Sequence, residues 1–186
     1  WLRGTGLPLD RRDRPPVSTH AAILNLNCVR RALPGWRATL FGSFLWAATM
    51  GTSALINLLQ DNWVTPEKIR TVSLLFAGGG ALAFPVGLFA ARLVSLAKNR
   101  EVAFAATMVC LAAATIGLTD GLYALQYRSY YAEWHAPVFT LTWGFQLAFT
   151  MAVASYQFVV LGIRLYFPLG FIALFAASLW FAQQRR

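Results

Sequence analysis

The chain has 186 residues, of which 58% are hydrophobic, and sixteen Lys and Arg stand against seven Asp and Glu for a net charge of +9. A mean hydropathy of +0.53 excludes an ordinary soluble domain, whose apolar content is about 45–50%. The basic excess sits at the ends of apolar runs rather than on one face or stripe, which excludes nucleic acid as a partner and implies membrane lipids instead.

Residues 1–36 read as a basic N-terminal tail. The stretch Asp10–Pro16 holds five charged residues and two prolines, too little apolar surface to offset the chain entropy of folding. Further on, Ile23, Leu24, Leu26, Val29 and Leu33 lead into Arg30 and Arg31, a pattern suited to a short amphipathic helix on a membrane surface, and Pro34-Gly35 ends it. Cys28 and Cys110 lie at unrelated depths and form neither a CxxC pair nor a metal-ligand spacing.

Residues 37–186 predict an all-α fold, a polytopic transmembrane helix bundle of five helices. Helix one covers about 38–60, and its 23 residues rise ~34 Å against ~30 Å of hydrocarbon. Trp36 and Trp63 mark its interfaces. Helix two covers about 71–92, helix three 102–126, and helix four 137–163, with Pro137 tolerated in its first turn. A shorter apolar run over 165–184 supplies the fifth. Five crossings are expected, and four crossings plus a C-terminal interfacial helix is the competing arrangement.

Orientation follows from Lys and Arg near the helix ends. Six Arg in the tail and Arg37 just after it, then Arg92, Lys98 and Arg100, then Arg164, are assigned to one side; Lys68, Arg70 and Arg128 fall on the other. The N-terminus is therefore expected on the cytoplasmic side of a bacterial inner membrane, or on the matrix or stromal side of an organellar one. Trp63, Tyr127, Tyr130, Tyr131 and Trp134 form an aromatic belt opposite. Arg185 and Arg186 disagree, because a fifth crossing would leave them on the less basic side.

Few residues in the apolar runs carry chemistry. Asp120 is a carboxylate inside helix three, where such a group usually faces a bundle interior or a hydrated path. It is the nineteenth residue from Val102, which sets it ~27 Å along the helix, close to headgroup depth. Thr49, Ser53 and Asn57 on helix one, and Thr142, Gln146, Thr150 and Gln157 on helix four, repeat at helical spacing. With Asp120, the residues Asn57, Gln146 and Thr150 form a candidate ion or proton pathway, or they bond between helices for ~0.6–2 kcal/mol each. Ala113, Gly117 and Gly121 recur every fourth residue and make a candidate helix-packing face. Gly79, Gly80 and Pro85 mark a candidate kink in helix two.

No catalytic residue, cofactor or metal is expected. His20 lies in the tail and His135 at a helix boundary, so they cannot supply haem ligands at matched depth, and no Ser or Cys has a partnered base within the apolar runs. The leading expectation is a non-catalytic membrane subunit or assembly factor that packs against other membrane subunits, respiratory and photosynthetic complexes being natural hosts. The alternative is a small channel or transporter for protons or small cations, with a homo-oligomer as its assembly.

Overall fold

A computed structural model describes residues 35–96 and 98–184. The amphipathic segment expected in the N-terminal tail lies outside the described residues. Among the described residues there are five α-helices and no strand: α1 Trp36–Gln60, α2 Pro66–Val94, α3 Arg100–Tyr131, α4 Leu141–Gln157 and α5 Leu169–Gln183. Four stretches, Trp36–Gln60, Pro66–Val94, Arg100–Trp134 and Leu141–Tyr166, are long and apolar enough to cross a membrane. The bundle is that of an integral membrane protein.

Local chemistry sets the helix ends. At the end of α1, Asn62 adopts φ 55°, its N–H donates to the Leu59 carbonyl, and the Trp63 N–H donates to the Leu58 carbonyl. This pair of bonds around a left-handed residue stops a helix and satisfies its last carbonyls. α2 opens with Pro66, which loses no hydrogen bond there, and Glu67 lies in its first turn, where a negative charge complements the helix dipole. Both α2 and α3 run longer than the sequence reading, by five residues at the start of α2 and five at the end of α3.

α2 packs along both α1 and α3, and its glycines permit this. A Cβ at Gly79 would lie 2.1 Å from Thr119 Oγ1 and 2.8 Å from Thr119 Cα. A Cβ at Gly87 would lie 2.8 Å from Leu111 Cα, and one at Gly80 would lie 3.1 Å from Met50 Cγ on α1. Gly79 and Gly80 thus serve close approach to two different neighbours at one level of the bundle. The helix continues unbroken through Pro85, so no half-helix ends open at mid-depth.

The face of α3 that enters the bundle is Ala103, Thr107, Leu111, Thr115 and Thr119, all buried at a spacing of four. Thr107, Thr115 and Thr119 each donate to the carbonyl four residues back, at 2.7–2.8 Å. With their hydroxyls bonded within the helix, they pack as small side chains. The face expected to pack, Ala113, Gly117 and Gly121, is two residues out of phase, roughly 200° around the helix. It points out of the bundle: Ala113 and Gly117 are exposed, and a Cβ at Gly117 or Gly121 would meet nothing within 4 Å.

The last third of the chain departs furthest from the sequence reading. Arg164 Nη2 lies 2.7 Å from Asp61 Oδ2, directly after α1. That contact places Arg164 at the end of the bundle that holds the 61–65 loop and the end of α3, not at the end with Arg92 and Arg100. α4 descends along the final turns of α3, and a turn of π-helix, Phe158–Gly162, and a 3-10 turn, Ile163–Tyr166, follow it. The Phe167–Pro168 peptide is cis. α5 begins at mid-depth, where a Cβ on Gly170 would lie 3.5 Å from Met50 Sδ. It ends near the start of α1 and the end of α2, with the Arg92 guanidinium 6.0 Å from the Phe181 ring.

Segment 141–166 meets the length and apolarity of a crossing, yet both its ends contact the same half of the bundle. The 15 residues of α5 rise only ~22 Å, short of the ~30 Å hydrocarbon. Five helices therefore make four passages, the fourth being broken between α4 and α5. The expected placement of Arg164 beside the tail is corrected, and the C-terminal end of α5 returns to the end where α1 begins. Among the described residues, that end carries Arg37, Arg92, Lys98 and Arg100 against Glu101; the opposite end carries Lys68, Arg70, Arg128 and Arg164 against Asp61, Glu67, Asp120 and Glu133. They are called the basic end and the aromatic end below.

Candidate functional site

The candidate pathway residues and their partners separate into three local groups, all in the aromatic-end half. The first joins α3 to α4. Asp120 Oδ2 accepts a 2.9 Å hydrogen bond from Ser155 Oγ, and one turn further on Tyr123 OH donates to Gln157 Oε1 at 3.2 Å. The other carboxylate oxygen of Asp120 is buried and makes no hydrogen bond, as does Arg128 Nε two turns beyond. Asp120 stands twenty residues into α3, ~30 Å from its basic end.

The second group holds the broken passage. Asn57 Nδ2 donates to the carbonyls of Phe167 at 2.7 Å, Ser53 at 2.8 Å and Leu165 at 3.3 Å. Ser53 Oγ also donates to the Leu165 carbonyl, at 2.8 Å. The Leu165 and Phe167 carbonyls are available because the 3-10 turn and Pro168 leave them without helical partners. Below them the Phe76 ring packs on Tyr166 and Phe158, with centroids 4.9 and 5.9 Å away. Asn57 is thus a structural clamp on a non-helical stretch of backbone, which within a bilayer must be satisfied by protein.

The third group closes the turn between α3 and α4. The Ala136 N–H donates to Gln146 Oε1 at 2.8 Å, and His135 Nε2 lies 3.2 Å from Thr150 Oγ1. Four candidate pathway residues therefore occupy three separate environments: Asp120 on Ser155, Asn57 on the broken passage, and Gln146 with Thr150 on the connecting turn. Thr49 donates to the carbonyl of Leu45. The polar series of α1 and α4 bond to different partners and do not line one lumen together.

Asp61 pairs with Arg164 and Asp120 with Ser155, whereas His135 meets Thr150. Among the described residues no three His, Cys, Asp or Glu side chains gather as a metal site would need. What remains chemically open is one carboxylate oxygen. It can take a proton or a donor, but no second titratable side chain is hydrogen-bonded to it to complete an acid–base pair.

Ser155, Tyr123 and the Arg164–Asp61 pair escaped the sequence reading. Helical spacing cannot align residues more than thirty positions apart, and the one available signal was that Arg164 and Asp61 each follow a long apolar run. No protein-family model matches this chain, and neither a curated protein nor a solved structure matches it.

Proposed function

We propose that the chain is a non-catalytic subunit or assembly factor of a larger membrane complex, with its basic end and N-terminal tail on the cytoplasmic, matrix or stromal side. The observation that carries this reading is the outward face of α3. Lipid tails gain nothing from glycine, whereas Ala113, Gly117 and Gly121 offer a flat strip on which a partner helix can bring its backbone close. The α4 helix adds to it, because Ala154 is its only buried residue. Such sparse packing suits an element that gains neighbours on assembly. Purification from native membranes in mild detergent tests the reading. A stoichiometric membrane partner should co-purify and be lost with Gly117→Leu; a solitary chain, or a partner retained unchanged by that variant, removes it.

A second reading, a small proton or cation conductor, is favoured by the unbonded oxygen of Asp120. Proteoliposome flux that falls with Asp120→Asn would select it over the subunit reading, and flux equal to that of empty liposomes would remove it.

A further inference from the structure

In the basic-end half, α1 and α5 diverge and leave a lateral groove of about 460 Å³ between them. Its walls are Ala38, Phe41 and Leu45 on one side and Ala173, Ala176 and Trp180 on the other. Phe84 of α2 forms the back, admitted because Gly42 has no side chain: a Cβ there would lie 2.1 Å from the Phe84 ring. The volume falls in the ~300–1,000 Å³ range of small-molecule sites.

The groove offers an occupant hydrocarbon contact. Of the three side chains with a polar atom that border it, two are satisfied elsewhere, Trp46 Nε1 donating to Thr115 Oγ1 at 3.1 Å and Thr49 Oγ1 to the Leu45 carbonyl at 2.8 Å, and the third is the indole of Trp180. Its length is also informative. From Ala38 to Thr49 α1 rises ~16 Å, close to the ~15 Å of one leaflet's hydrocarbon.

The mouth is cationic. Arg37 precedes Phe41 by one helical turn, so it lies on the groove face of α1, with its guanidinium 5.3 Å from the Trp36 ring. Arg92 lies over Phe181, the neighbour of groove-lining Trp180. Indole rings at that depth suit the boundary between acyl chains and headgroups.

We propose that this groove is a binding site for one anionic phospholipid from the basic-end leaflet, one acyl chain lying between α1 and α5 and the phosphate against Arg37. Hydrocarbon length fixes the depth of the lipid, and the guanidinium selects its charge. The site is independent of the subunit reading, since lipid retention can be read on the chain by itself.

Native mass spectrometry of the full chain tests this after exchange into micelles doped with equal phosphatidylglycerol and phosphatidylcholine. One phosphatidylglycerol should remain bound, at least tenfold in excess over phosphatidylcholine. Ala176→Phe, at an exposed groove position, should lower retention at least tenfold while circular dichroism stays that of the parent. Arg37→Gln, at an exposed site where folding is not at risk, should keep a bound lipid but reduce the charge preference at least threefold. No retained lipid, equal retention of the two headgroups, or a folded Ala176→Phe variant that binds like the parent would each overturn the site. If Ala176→Phe does not fold, Arg37→Gln decides, and an unchanged headgroup preference overturns the proposal.

Discussion

Two helix seams in this molecule are built on opposite chemistry. Between α2 and its neighbours α1 and α3, glycines bring backbones within van der Waals distance, and the hydroxyls on the seam bond back to their own helix. Between α3 and α4 almost nothing is buried, and two side-chain hydrogen bonds, Ser155 to Asp120 and Tyr123 to Gln157, make the connection. In lipid no hydrophobic drive separates these cases, because the solvent is as apolar as the side chains. The difference is between many short-range contacts and a few directional bonds worth ~0.6–2 kcal/mol each. On this ground the α1–α2–α3 core is expected to be the more stable unit, and α4 the first helix to open.

The largest effects expected are all-or-none. Single cysteines replacing Arg164 and Lys68 should react with an impermeant maleimide from the same side of the membrane, and one replacing Lys98 from the other. Labelling of positions 164 and 98 from one side would restore five crossings. Next in size, Gly79→Leu should destabilise the core by about 3 kcal/mol or more, because the new side chain meets Thr119 backbone that cannot move aside. Gly117→Leu in the isolated chain should leave the unfolding midpoint in mixed micelles within experimental error, so equal losses in both variants would abolish the contrast between seams.

Smaller effects probe the broken passage. Asn57→Ala strips the carbonyls of Leu165 and Phe167 of a donor and should cost about 1–3 kcal/mol in the same unfolding measurement. A neutral result would mean that water or Ser53 replaces the amide. Arg164→Gln should cost at most ~1 kcal/mol, since the ion pair with Asp61 is exposed and screened. A loss as large as that of Asn57→Ala would mean that the pair, not the amide, holds the passage.

Helix number and approximate positions were legible because bilayer thickness fixes the length of an apolar run. Direction of travel was not. Residues 137–184 contain enough apolar sequence for two crossings, and Arg164 between them looks like any loop charge; only its pairing with Asp61, a hundred residues earlier, reveals that the chain has not yet crossed. The misfit of Arg185 and Arg186 under five crossings was the available clue. The face of α3 that packs within this chain was hard to read for a related reason. Glycine advertises close approach, but threonine with a back-bonded hydroxyl approaches as well, and Thr107, Thr115 and Thr119 repeat on the opposite side of the same helix. Asp120 was expected near headgroup depth, yet α3 runs on for eleven residues beyond it to Tyr131, and its partner Ser155 depends on tertiary alignment that no local spacing encodes.

The back-bonded threonines also have an electrical meaning. Proton hopping along hydroxyls needs each one to reorient and pass its hydrogen to the next. Here the hydrogens of Thr107, Thr115 and Thr119 are each committed to a carbonyl of α3, and Thr115 Oγ1 is already occupied as an acceptor by the Trp46 indole. A row that looks polar in composition therefore offers its neighbours few free donors. The same side chains let the helices of the bundle touch.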